Sequence, residues 1–495
     1  MRNTGGVRRL PSAGIATVFT VVALLALASC GSGGGSAGGG ASGSTATGTT
    51  ARSTSSPGTA SPSAAGASTA GASQSGGASR SAGAATAQGR EEVRLTVPSS
   101  LAGGTLSSPH QVEVPKGWRA SVWARPEGAR MMAVTPEGNL LVSQPGNGVV
   151  LELAGGKVAA SERVVLSGLE SPQGLAFARR GGKWVLYVGE SDQIDAYPWH
   201  GGKAGRQKVI APNLPDEKPA GDDIHRQKDV VVARDGTIYF DVGSSSNASP
   251  ADRGYHPPRG VIDSVAPTGG KVKVVMRGVR NGEGVAMAPD GSIWTAVNNR
   301  DEIEYPFHKP AEGHADAFGQ VVRSYVNNHP PDEVAQVKQG RDLGWPLCDP
   351  EQAKSTPPGS LADVPLIPDA ENNPTGKRLD CAKLPPIEVG LPAHSAPLGM
   401  SFLEGTKVPA PWSGGAVIAA HGSWDRQEPR PPAVLWLRWD AKRHTLLPAK
   451  TLVGGFQEAN GERWGRPVDA VAGPEGSLFV SDDTAGAIYK LTPPR

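Results

Sequence analysis

One short pattern recurs from about residue 110 onward, and it decides what this chain can fold into. An apolar strand runs into a Pro/Arg-Asp/Glu-Gly or Gly-rich turn, and a second apolar strand follows. The units are MMAVTPEGNLLVSQ from Met131, GLAFARRGGKWVLYVGE from Gly174 and DVVVARDGTIYFDVG from Asp229. GVAMAPDGSIWTAV from Gly284, GMSFLEG…WSGGAVIAAHG from Gly399 and DAVAGPEGSLFVSDD from Asp469 continue the series. Asp-Gly or Glu-Gly between β-rich runs is a strong hairpin signal, because Gly supplies the positive φ that the turn needs. Short further strands follow several units: GVVLEL, QIDAYPW, AVLWLRWD and AIYKL. Six units of three or four strands predict an all-β, six-bladed β-propeller over residues 109–495. The stretch from about 304 to 396 is too long for a plain connection. It is expected to be an insertion across one face.

The segment ahead of the repeats has a different character. Arg2, Arg8 and Arg9 precede the apolar run IATVFTVVALLALAS, which has the form of an export signal. The run ends in Leu27-Ala28-Ser29-Cys30, similar to the bacterial lipobox. That similarity implies cleavage before Cys30, lipid attachment to its thiol, and anchoring to the outer face of the cytoplasmic membrane. Residues 31–108 are read as a disordered linker; up to about residue 90 they are almost wholly Gly, Ser, Ala and Thr. Such a composition cannot bury enough apolar area to offset ordering entropy. Sixty residues of this kind span roughly 40–45 Å.

With a formal net charge of +2, the chain makes no general electrostatic case for nucleic acid. Of three cysteines, Cys348 and Cys381 remain after Cys30. In an oxidising compartment such a pair is most simply a disulfide, closing a Pro-rich loop.

Three polar clusters flank the hairpins. Asp222-Asp223-Ile224-His225 leads into the third unit, and a His near carboxylates can serve as a general base. Arg280-Asn281 and Asn298-Asn299-Arg300-Asp301-Glu302 bracket the fourth unit. A cation with an amide can hold a developing oxyanion, and the two acids with nearby carbonyls can hold calcium. Salt bridges and turn caps at a blade rim would place the same residues there. His421-Gly422-Ser423-Trp424-Asp425-Arg426 and Gly465-Arg466-Pro467-Val468-Asp469 form the third cluster. Its arginines can pair bidentately with ligand carboxylates, or Arg466 and Asp469 can satisfy each other.

From about residue 112 to the C-terminus, these strings together resemble the soluble glucose/sorbosone dehydrogenase family. The L-sorbosone dehydrogenase-like branch is nearer than the glucose enzymes. The resemblance rests on GVRNGEGVAMAPDGSIW followed by NNRDEI, and on GRDLGWPLC, LPAHSAPLGMSF, AHGSWDR and GRPVDAVAGPEGSLFVSDDTAG. It implies a six-bladed propeller that binds pyrroloquinoline quinone (PQQ) and calcium. Such an enzyme oxidises a sugar or related alcohol or aldehyde and passes electrons to an external acceptor.

PQQ carries three carboxylates, so Arg280, Arg426 and Arg466 are candidate partners, with Trp424 beside them. His225 falls at the position of the family's base. Arg280 and Asn281 fall where the family contacts the quinone oxygens, making His225 and Arg280 the candidate catalytic pair. Asn298, Asn299, Asp301 and Glu302 are the candidate calcium ligands. The chain departs from the family pattern at Gly282, where Pro is common, at Ile224, where glucose enzymes carry Asp, and at Leu343, where an aromatic is usual. Two other readings remain open: a propeller without chemistry that binds a surface glycan or protein, and a calcium-dependent lactone hydrolase.

Overall fold

A computed structural model describes residues 89–155, 160–216, 225–351 and 359–494. The export signal, Cys30, the linker up to residue 88 and Asp222-Asp223-Ile224 lie outside the described residues. Among those described, six sheets of four or five strands and two of two strands account for nearly all regular structure.

The inner strands of the six sheets are Met132–Val134, Leu175–Arg180, Val230–Val232, Gly284–Met287, Pro397–Phe402 and Pro467–Ala472. Each touches the inner strands of the sheets on either side, and the last touches the first. The result is a closed six-bladed ring. The last blade completes the closure: its outer strand, Arg119–Ala124, comes from the start of the domain and pairs antiparallel with Ala487–Thr492. Joining the two ends of the chain in one sheet leaves no open edge at the seam.

The acidic-Gly turns do what their composition requires. Gly138, Gly236, Gly291 and Gly476 take φ values of +90°, +88°, +92° and +82°. In each, the Gly N–H donates to the carbonyl three residues back, as Gly291 does to Ala288 at 2.9 Å. A side chain at that φ would be strained.

Apolar side chains fill the wedges between successive blades. Trp294, Leu391, Ile418 and Leu437 pack between the fourth and fifth, for example. Second strands such as Ile293–Val297 and Gly415–Ala420 are buried along their whole length, which is why they read as unbroken apolar runs. Aspartates staple neighbouring blades through backbone N–H groups. Asp229 accepts from Val285 at 3.0 Å, and Asp469 accepts from Met132 at 2.9 Å.

Two expected boundaries are corrected. Folded chain begins before residue 109, because Arg90–Arg94 pairs with Gln111–Pro115. Val93 and Leu95 of that segment meet the core of the last blade. The stretch from 304 to 396 is not a single insertion: Asp332–Gln336 and Val389–Leu391 are the third and fourth strands of the fourth blade. Neither is preceded by an acidic-Gly hairpin, so neither announces itself. The rest of the stretch is folded over the rim, with Ile303, Val322, Tyr325 and Val326 forming a small core. Cys348 and Cys381 form a disulfide, with their Cα atoms 5.7 Å apart.

Candidate active site

In each blade the loop before the first strand and the loop after the second emerge at the same end of the ring. The blades thereby aim loops at the axis, and among the described residues side chains from all but the second wall a cavity of about 210 Å³. His225 reaches it from the third blade, Asn281 and Asp301 from the fourth, His394 and His421 from the fifth, and Arg466 from the sixth.

His225 is partly buried. Its Nδ1 lies 2.9 Å from Ser244 Oγ, and that hydroxyl lies 2.7 Å from the Ser246 carbonyl. A hydroxyl has one proton, and a carbonyl can only accept it. Ser244 therefore accepts from His225 Nδ1–H, so the neutral ring keeps its acceptor lone pair on Nε2. Burial, helped by the Arg280 charge, pushes the imidazole well below its ordinary pKa. A neutral ring with a fixed tautomer is what a general base needs.

Arg280 does not line the cavity. It is buried, and its guanidinium makes four hydrogen bonds: Nε donates to Asn247 O at 3.0 Å, Nη1 to Asn298 O at 3.2 Å, and Nη2 to Asn247 Oδ1 and Asp301 Oδ2 at 3.0 and 3.1 Å. The expected direct contact from Arg280 to a cofactor is thus replaced by a supporting one: it sets the position of Asp301. Asn281 does line the cavity. Its Nδ2 donates to Glu283 at 3.3 Å, while its buried Oδ1 has no hydrogen-bond partner. An orphaned buried acceptor is costly unless a ligand donor meets it.

Arg466 also lines the wall. Nε and Nη2 donate to the His421 and Gly422 carbonyls at 2.9 and 3.2 Å. Among the described residues it has no carboxylate within ion-pairing distance, and burial with the nearby Arg463 lowers its pKa. Such a cation is suited to an anionic ligand. Trp424 stands 68% exposed at the mouth, an unusual setting for an indole and a natural stacking platform. Arg426 turns away, donating to Asn327 O at 2.7 Å and Glu428 O at 2.7 Å.

The expected calcium loop is only partly assembled. Asn298 and Asp301 reach the cavity. Asn299 is buried elsewhere, with Nδ2 on Pro331 O at 3.2 Å and Glu333 Oε1 at 3.0 Å. Glu302 is exposed beside Arg323 at 3.5 Å. In their place the fold brings two residues from the fifth blade to Asp301: His394 and Asp425, with ligand atoms all within 4.8 Å of one another.

Sequence reasoning left several wall residues without a role. Arg130 bridges Glu283 and Asp483, each at 3.0 Å. His421 Nε2 lies 2.9 Å from Asp483 Oδ1. Burial opposes the charge on Asp483, but the hydrogen bond with His421 and the Arg130 cation outweigh it and hold its carboxyl well below the usual range. His394 and Asp425 lie inside two of the strings quoted above, LPAHSAPLGMSF and AHGSWDR, which was the available signal.

Similar folds are known. The chain superimposes on the holo form of the PQQ domain of pyranose dehydrogenase from Coprinopsis cinerea with a TM-score of 0.63 at 19% identity, covering 80% of this chain and 99% of that one. The calcium structure of a Trichoderma reesei family AA12 carbohydrate-active enzyme gives a TM-score of 0.60 at 19% identity, covering 77% and 96%. A protein of Borreliella burgdorferi is 26% identical over 265 residues, which is 53% of this chain and 58% of that protein's length. A model of the TrAA12-like family matches residues 112–494, the whole ring of blades with its closing strand, and the chain belongs to that family.

Proposed function

We propose that this protein is a quinoprotein dehydrogenase that oxidises a sugar or a related alcohol or aldehyde, with PQQ seated in the cavity and calcium beside it. The observation that carries this reading is Arg466, a cavity-wall cation without a carboxylate partner among the described residues. Asn281, whose buried Oδ1 is orphaned, lines the same cavity. One supplies charge for a carboxylated ligand, the other a specific polar contact. Calcium belongs on the Asp301 side, where Asp425 brings a second carboxylate close.

When bound, PQQ supplies a two-electron acceptor for hydride leaving the substrate carbon. The protein's own share is positioning and proton transfer. His225 Nε2 takes the substrate hydroxyl proton, and Ser244 holds the ring in the tautomer that allows it. Arg280 keeps Asp301 fixed at the wall. Trp424 offers an apolar face at the mouth, where a sugar ring can stack. The lipobox-like string ending in Cys30 supports a location on the outer face of the cytoplasmic membrane in this reading, with electrons passing to an external acceptor.

The test is reconstitution of the purified protein with PQQ and calcium, followed by dye reduction across aldoses, sorbosone and polyols. Cofactor-dependent dye bleaching is expected. Intact protein that neither binds PQQ nor bleaches dye, but binds a cell-wall polysaccharide, would replace the enzyme with a surface binding module.

A further inference from the structure

We propose that the sugar this protein takes is an acidic one, with its ring stacked on Trp424 and its anionic group, a carboxylate or a phosphate, held by Arg430 and Arg463. The sugar's oxidation rests on the dehydrogenase reading above. Its acidity rests on arginines gathered where the fifth and sixth blades meet, whose charges find no acid.

The arginines surround the turn His421-Gly422-Ser423-Trp424. Arg466 Nη2 donates to the Gly422 carbonyl at 3.2 Å, and Arg463 Nη2 donates to the Ser423 carbonyl. Arg430 is joined to Ser423 twice. Its N–H donates to Ser423 Oγ at 2.7 Å, and its carbonyl accepts from the Ser423 N–H at 3.3 Å. Arg430 Nε donates to Ala393 O at 2.8 Å, and Arg463 Nε to Gln457 Oε1 at 3.1 Å. Arg426 lies two residues beyond Trp424 and donates to the Asn327 and Glu428 carbonyls. Every one of these acceptors is neutral. Among the described residues, Arg426, Arg430, Arg463 and Arg466 have no carboxylate within ion-pairing distance. By contrast, Arg130, Arg280, Arg300 and Arg323 each meet one.

Like charges in a partly buried seam oppose one another. Burial, with the Arg426 charge, pushes Arg430 down to about 10. Burial, with the Arg463 charge, lowers Arg466 as well. Asp332 offsets part of this at Arg430, and Asp483 and Asp482 at Arg466, without reaching ion-pairing distance. A group of cations that repel one another in the free protein is relieved by an anion seated among them. Arg430 and Arg463 are fixed by their Nε atoms, and Nη groups on both remain without a partner among the described residues. A guanidinium held in this way offers a fork to two oxygens of one anionic group. Pro429, Pro431 and Pro432 flank Arg430 in sequence and restrict its loop, so less order is lost on binding.

Arg466 belongs to the cavity wall, whereas Arg430 and Arg463 do not line the cavity. A cofactor seated there engages Arg466 and leaves these two to another ligand. Between them and the cavity stands Ser423, followed by Trp424, whose indole is 68% exposed. An aromatic face takes the apolar face of a sugar ring. Guanidinium groups next to it distinguish a ring that carries a charge from a neutral one.

The experiment uses the purified full chain without cofactor, titrated by calorimetry with glucuronate, glucose phosphate and glucose in turn. Glucuronate or glucose phosphate should bind at least about tenfold more tightly than glucose, the effect of one charge-assisted hydrogen bond. The tighter of the two names the anionic group. Arg430→Gln and Arg463→Gln should each reduce that preference and leave glucose affinity in place, while Trp424→Ala should weaken all three sugars. The comparison of sugars needs only the wild-type chain, so it decides the matter even where a variant fails to fold. Equal affinity for acidic and neutral sugars would overturn the inference. So would acetate or inorganic phosphate binding as tightly as the acidic sugars, or a preference that survives both arginine substitutions. A chain that prefers acidic sugars yet reduces no dye with PQQ would remove the enzymatic reading and leave this site standing. Dye reduction confined to neutral sugars would do the reverse.

Discussion

Ser244 accepts the Nδ1 proton of His225 and gives its own to the Ser246 carbonyl. The pair is therefore directional. It commits the base to one tautomer without placing a second charge beside it. Ser244→Ala should lower turnover by roughly tenfold to a hundredfold, within the range that a positioned base contributes. Ser244→Thr should retain most of it. The check beyond activity is ¹⁵N NMR of the imidazole in the cofactor-free protein. Wild type and Ser244→Thr should show Nδ1–H, and Ser244→Ala a tautomer mixture. An unchanged single tautomer in Ser244→Ala would show that another group sets the ring.

The acidity of His225 gives a second test. Its ordinary value is 6.5, and burial with the Arg280 charge carries it well below that. The folded protein thus holds the ring neutral at a pH where the unfolded chain has begun to protonate it. The acid limb of kcat/KM should fall well below pH 6.5. For stability the sign is the same: the contribution is present above 6.5 and is lost as pH falls from there toward the folded value. His225→Gln should flatten that loss in denaturation midpoints. A kinetic limb at or above 6.5 would remove His225 from the base role.

Arg466 carries the case for an anionic ligand, and it can be challenged directly. Arg466→Gln keeps a polar head that can still reach the His421 carbonyl but removes the charge. Affinity for PQQ, read by absorbance titration, should weaken by roughly ten- to a hundredfold, since a charge-assisted bond is worth about 1.5–3 kcal/mol. Arg426→Gln should change it little, because Arg426 is turned to Asn327 and Glu428. Equal effects of the two substitutions would mean a general field rather than a built contact.

Much of the ring could be read from the sequence because one local device repeats. At Gly138, Gly236, Gly291 and Gly476 the turn residue and the flanking apolar runs state the hairpin outright. Asp332–Gln336 and Val389–Leu391 were missed for the opposite reason: one is short and acidic, the other only three residues, and their partners lie across long loops. The site shows the same division. His225, Asn281 and Arg466 sit in the loops that lead into first strands, so the repeat itself places them near the axis. Arg280 shares that position, yet its guanidinium turns outward to Asn247, which no pattern in the sequence reveals. The meeting of Asp301 with His394 and Asp425 depends on how far two adjacent blades twist together, which is a property of packing and not of spacing.

The disulfide offers a test of the rim segment that covers the fourth blade. Cys348 and Cys381 are both buried among Leu343, Leu347 and Ile387, so the bridge sits in a core and not on a loose loop. It closes a sequence separation of 33 residues. Loop-closure entropy for that length gives about 4 kcal/mol through restriction of the unfolded chain. The double variant Cys348→Ala/Cys381→Ala should therefore lower the denaturation midpoint with little change in the folded ring. Leu347, Leu343 and Gly344 all belong to the GRDLGWPLC string, and Arg341–Asp342 within it pairs in parallel with Lys273–Arg277 of the third blade. Loss of the bridge should thus loosen the seam between the third and fourth blades first. Amide exchange should rise around residues 341–348 before it rises in Ile293–Val297. A uniform rise across all blades would instead mean that the bridge acts on global stability alone.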